Sequence, residues 1–170
     1  MNLFDLLLAT PLIAGAILSV IGHRPRATLL NIAASAVTLA AALALAYQVL
    51  ERGPYTAHGQ AFFLDAYNVF LISLTAFVAT TTAIFSAPYM RHELAIGRVT
   101  AERLRLYHAM YQLFIFGMYL GLTTNNLGVL WIALELATLA TVLLVSLYRT
   151  PRLLVVRPRY MPKMNNWYMA

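Results

Sequence analysis

Cysteine is absent from the chain, which excludes disulfide bridges, thiolate-held iron–sulfur clusters and thiol catalysis by its own residues. Charge is scarce as well: Asp, Glu, Lys and Arg make up 11% of the sequence, against about 25% in an ordinary globular chain. Six residues are acidic, and lysine occurs once, as Lys163. No phosphate-binding glycine loop, no metal-ligand spacing and no nucleophile–base pair is found. A stand-alone enzyme therefore has no catalytic, cofactor or metal residues to rest on. Apolar residues take the place of the missing charge. They form 61% of the 170 residues, against about 45–50% in soluble domains, and the mean hydropathy is +0.72. Such a chain needs a bilayer as its solvent, and an all-α integral membrane protein is expected.

Five stretches are long enough to cross a bilayer, which takes about 20 mostly apolar residues: Leu3–Ile21, Thr28–Leu50, Ala66–Met90, Leu106–Thr124 and Leu127–Tyr148. A basic turn (Gly22–Ala27), a polar loop (Glu51–Asp65), a charged loop (Arg91–Arg105) and the tight Thr124–Asn125–Asn126 turn separate them. Alternation at period 2 is missing, which argues against a β-barrel. The first stretch has no basic residue before it, and Arg24 and Arg26 follow it, the reverse of a secretory signal. The net charge of +6 does not point to nucleic acid, because the basic residues are sorted by side. With the N-terminus outside, every Arg and Lys except Arg52 falls on the inner side, and the positive-inside rule gives an N-out/C-in topology. Residues 1–150 are read as a transmembrane bundle and 151–170 as a basic cytoplasmic tail. Tyr47, Tyr55, Phe62 and Phe63 are expected in an outer aromatic belt, and Tyr89, Tyr107, Tyr111 and Tyr148 in an inner one. The alanine-dense second span and the Gly117-xxx-Gly121 pattern of the fourth read as packing faces.

The polar residues inside these spans each need a reason. Asp65 is expected to cap the third span, with Asn68 one turn in, and Asp5 to be solvated at the interface. Ser73, Thr75, Thr80, Thr81 and Thr82 can bond to the carbonyl one turn earlier. His108, one turn inside the fourth span, is first an interfacial histidine and second a candidate proton relay. Alone it cannot supply the two axial ligands of a b-type haem. Glu135 stands apart. It lies near the middle of the fifth span and is the only formal charge in the central part of any span. An acidic residue there is unfavourable by roughly 3 kcal/mol on insertion scales, and intramembrane ionisable residues are functional by default. A buried carboxyl is suited to taking up and releasing protons. Thr138, one turn on, lies on the same face and is a candidate to help hold it.

The segment Phe62-Phe63-Leu64-Asp65-Ala66-Tyr67-Asn68, the loop Tyr89-Met90-Arg91-His92-Glu93-Leu94 and the run from Leu104 to Pro151 resemble the antiporter-like, proton-translocating subunits of respiratory complex I and of multisubunit sodium–proton antiporters. The nearest likeness is to hydrogenase-4 component F of membrane-bound [NiFe]-hydrogenase complexes. The most specific part is Asn125-Asn126-Leu127-Gly128-Val129-Leu130-Trp131-Ile132-Ala133-Leu134-Glu135, continuing through Ala137-Thr138-Leu139 to Tyr148. The resemblance implies that Glu135 belongs to a proton or sodium path. It also implies that the chain works with other membrane subunits of a redox-driven complex in a bacterial or archaeal cytoplasmic membrane. Family members continue through further helices, including a buried lysine that pairs with this glutamate, whereas Lys163 lies in the tail. That tail, with Pro158 and Pro162, departs from the family pattern. It is read as a truncation or frame change near Pro151, or as a basic arm lying on anionic lipid. A structural subunit or remnant without transport of its own is the competing function.

Overall fold

The computed structural model describes residues 2–24 and 26–147, so the expected basic tail lies outside the described residues. Among them are five α-helices and one two-stranded antiparallel hairpin: α1 (Leu3–Ile21), α2 (Ala27–Arg52), β1 (Tyr55–Ala57), β2 (Phe62–Leu64), α3 (Ala66–Ala95), α4 (Ala101–Thr123) and α5 (Leu127–Ser146). Four of the helices, α1, α2, α3 and α5, are long and apolar enough to cross a membrane, and the chain is an all-α membrane protein. The fourth expected span, Leu106–Thr124, corresponds to α4. Its hydropathy is lowered by Tyr107, His108, Tyr111, Gln112 and Tyr119. Packing explains the difference: α4 lies against α1, α3 and α5, and touches α2, so its polar side chains meet protein rather than lipid.

The helices α1 to α4 form a closed ring, α1 on α2, α2 on α3, α3 on α4 and α4 back on α1, while α5 packs on the outside of α4. Small residues make the close approaches possible. Gly15 of α1 lies over Ala109 and Gln112, and Gly22 lies over Arg105. Between α2 and α3, which pack on each other, buried Ala42 shares the larger apolar cluster with Ala76, Ala79 and Ala83. The expected glycine face is there too: Gly117 and Gly121 receive Ala133 and Ala137 of α5.

Helix ends carry their own signals. Asp65 caps α3 as expected, its carboxylate accepting from the Asn68 amide at 2.7 Å. The Asn126 side chain accepts from Gly128 and Val129 at 2.8 and 3.2 Å and starts α5. Asp5 is not merely solvated: it accepts from the Asn2 amide and pairs with His58 Nε2 at 2.7 Å.

Four expectations are corrected. The charged loop Arg91–Arg105 is helical at both ends, because α3 runs on to Ala95 and α4 starts at Ala101. Nothing in Arg91-His92-Glu93 breaks a helix; Gly97, with φ of 72°, does. The polar loop Glu51–Asp65 contains the hairpin, with Tyr55, Thr56 and Ala57 opposite Leu64, Phe63 and Phe62. Tyr111 is not an interfacial residue: it is buried and its hydroxyl donates to the Ala79 carbonyl. Ser73 likewise departs from the pattern that Thr80 and Thr81 follow. Those two bond to carbonyls one turn back, whereas the Ser73 hydroxyl has no partner among the described residues.

The buried interior falls into two apolar clusters. The larger gathers Phe4, Leu7, Leu45, Val49, Leu64, Ile72, Ile115 and Tyr119 toward the hairpin end. The smaller holds Met90, Val99 and Leu104 at the opposite end.

Candidate functional site

Glu135 is set by the local structure of α5. Asn126 fixes where the helix begins, and the alanines at 133, 137 and 140 are its buried residues. Small side chains on that stripe let α5 sit down on Gly117 and Gly121, which turns the positions between them outward except half-buried Leu136. Glu135 is therefore exposed on the surface of the chain, next to exposed Trp131, Leu134 and Leu139. Its carboxylate has no hydrogen bond or ion pair among the described residues. Thr138 shares this surface, but its hydroxyl donates to the backbone carbonyls of Leu134 and Glu135 at 2.7 and 2.9 Å. It thus steadies the helix, and its hydroxyl proton is already taken by the backbone rather than offered to the carboxylate.

His108 is placed elsewhere. It is 1% exposed on the inner side of α4, with Tyr107 edge-on to its ring at 5.3 Å. Glu135 faces away from the bundle, so the structure does not bring these two together.

One turn along α4 from His108 lies a constellation that sequence reading passed over. The Gln112 amide nitrogen donates to Asn31 Oδ1 at 2.9 Å, to the Asn31 carbonyl at 3.3 Å and to Ser35 Oγ at 3.4 Å. Ser35 donates to the Asn31 carbonyl, and both Thr38 and Thr80 donate to the Ser35 carbonyl. Asn31, Ser35, Thr38, Thr80, Gln112 and His108 are all buried. Together they form a polar seam among α2, α3 and α4. On α4 it falls between Leu104 of the small apolar cluster and Ile115 of the large one. The seam is incompletely satisfied: Asn31 Nδ2, Gln112 Oε1 and both ring nitrogens of His108 have no partner among the described residues. Each such group disfavours the folded state by about 1–3 kcal/mol if left unmet. The signal was there in the spacing 31, 35, 38, a polar stripe at helical period in the alanine-rich span, and in the pair 108, 112.

A third polar group occupies the hairpin end. Asn2, Asp5, Gln48, Arg52, Tyr55 and His58 line an open cavity of about 700 Å³, and the Phe62 and His58 rings lie tilted against Phe4 and edge-on to each other. Burial, with a smaller contribution from the Asp5 charge, raises the Tyr55 phenol above its usual range. No cluster of three or more His, Cys, Asp or Glu side chains that could hold a metal ion occurs among the described residues.

No protein-family model matches the chain. It is similar to a hydrogenase-4 component F homolog of Methylacidiphilum infernorum (isolate V4), with 46% identity over 102 residues, which is 60% of this chain. The resemblance to hydrogenase-4 component F read from the residues is thus found independently. The chain spans about a fifth (21%) of that relative's length.

Proposed function

We propose that this chain is the opening part of an ion-translocating membrane subunit of a redox-driven complex of the hydrogenase type, and that Glu135 carries the proton, or the sodium ion, along its path. The relative named as a hydrogenase-4 component F homolog supports the class of complex. The observation that carries the mechanism is the exposed, unpartnered Glu135 on α5, a helix attached to the bundle on one side only. A carboxylate cannot face hydrocarbon cheaply, and intramembrane acids face a bundle interior or a water-filled cavity. The surface of α5 that bears Glu135 and Thr138 is therefore a face for further membrane helices of the same complex. Those helices would set the protonation state of the carboxyl by the charge they bring. In this reading all five helices cross the membrane, N-terminus out, and His108 is a secondary candidate.

Replacing Glu135 tests the proposal in a membrane complex that contains the full subunit. Glu135→Gln keeps shape and hydrogen-bonding capacity and removes the titratable proton. The variant is expected to assemble and to lose ion translocation, with Glu135→Asp retaining part of it, measured as ion flux into vesicles driven by the redox partner. Wild-type flux in a Glu135→Gln complex would favour a purely structural subunit.

A further inference from the structure

We propose that α2, α3 and α4 enclose an internal water site bounded by His108, Gln112 and Asn31, through which the His108 ring exchanges its proton with water. This site stands apart from Glu135 and does not depend on any role given to it.

The donor and acceptor inventory leads there. A neutral imidazole has one N–H donor and one bare nitrogen acceptor, whichever tautomer it takes. With both ring nitrogens unpartnered at 1% exposure, either tautomer leaves one donor and one acceptor unmet. The same mixture recurs at the neighbouring amides. Donation from Gln112 Nε2 to the Asn31 backbone carbonyl fixes which way the Gln112 amide points. Its Oε1 is then an unmet acceptor and Asn31 Nδ2 an unmet donor. Two donors and two acceptors, with no formal charge among them, decide the ligand class. A cation would require acceptors throughout, and an anion donors throughout. Water is both, and buried waters typically join two to four such groups.

Geometry agrees. His108 and Gln112 are one helical turn apart on α4, about 5–6 Å between their Cβ atoms, a separation that one bridging water spans. Asn31 is already bonded to Gln112, so a water on Gln112 Oε1 lies near the Asn31 amide as well. Among the described residues no carboxylate is bonded into this seam. Glu93, the buried acid of α3, is engaged with Arg98 at 3.6 Å. His108 is seven residues past the first residue of α4, about 10 Å along the axis from the end that carries Arg103 and Arg105.

The experiment uses the full chain in lipid bilayers with ¹⁵N-labelled histidine. Magic-angle-spinning NMR then reads polarisation transfer from water protons to the ring nitrogens. His108→Phe identifies the His108 signals by their disappearance. The expected result is transfer to both His108 ring nitrogens at a rate comparable to that of the exposed His58 ring. Loss of that transfer is expected in the double variant Asn31→Leu, Gln112→Leu, with the His58 and His92 signals unchanged. A wild-type His108 that receives no water polarisation overturns the proposal, as does full transfer in the double variant. If the double variant fails to insert, the wild-type measurement alone decides.

Discussion

Gly22 lies where α1 comes closest to α4. A Cβ there would sit 2.8 Å from Arg105 Cα and would also press on the Leu18 carbonyl. Backbone cannot yield as a flexible side chain can, so Gly22→Ala is expected to destabilise the bundle by about 1–3 kcal/mol. Gly121 offers the contrast. A Cβ there meets Ala133 Cβ at 3.6 Å and Leu130 Cδ1 at 3.7 Å, ordinary contact distances, while alanine is favoured over glycine in a helix by up to about 1 kcal/mol. Gly121→Ala should be neutral or mildly stabilising. Unfolding in mixed micelles, titrated with a denaturing detergent, measures both. Equal losses for the two variants would contradict the geometry. The residues that declare themselves in sequence act locally. Asp65 is such a residue, since an acid directly before an apolar run has one obvious use. The seam of Asn31, Ser35, Gln112 and His108 is hidden for the opposite reason. His108 draws notice by itself, but only the packing of three helices shows that it shares a seam with Asn31, Ser35 and Gln112.

At the scale of elements, the apolar runs are legible because a membrane helix must satisfy its backbone internally and clothe it in apolar side chains. The ends are less so. Hydropathy falls at the interface, but the hydrogen-bond ladder need not, which is why α3 passes Met90 and α4 starts ahead of Leu106. The hairpin escapes for lack of length, its strands being three residues each. The α4–α5 contact follows from the Gly117-xxx-Gly121 pattern and yields a sharp expectation. A Cβ on Gly117 would lie 3.2 Å from the Ala133 carbonyl oxygen and 3.3 Å from the Ala137 nitrogen. Gly117→Leu should therefore push α5 away while leaving the ring of α1 to α4 folded. Cysteines introduced at Gly121 and Ala133 should form a disulfide in the otherwise unaltered chain and fail to do so once Gly117→Leu is added. Undiminished cross-linking would show that the seam is not held by that close approach.

For the molecule as a whole, the two ends differ in charge. The hairpin end carries Arg52, and the opposite end carries Arg24, Arg26, Arg91, Arg98, Arg103 and Arg105. With the proposed N-out orientation, a reporter inserted at Gly59 in the hairpin turn should read the outer side, and one at Gly97 between α3 and α4 the inner side. Both reporters on one side would refute the five-span topology. The closed ring has a further consequence, in the order of synthesis. The first helix finishes its contacts only when the fourth arrives, because α1 packs on α4. Between Ile21 and Thr123 a ribosome must add about a hundred residues, roughly 5–20 s at 5–20 residues per second. Throughout that interval the Gly15–Gly22 face of α1 has no α4 to receive it and must be held by lipid or by the insertion machinery. Only three residues separate α4 from α5, so the last helix emerges almost as soon as the ring can shut. The assembly is thus slow to begin and abrupt to finish, and a nascent chain arrested before Thr100 should be the one most readily captured by membrane chaperones.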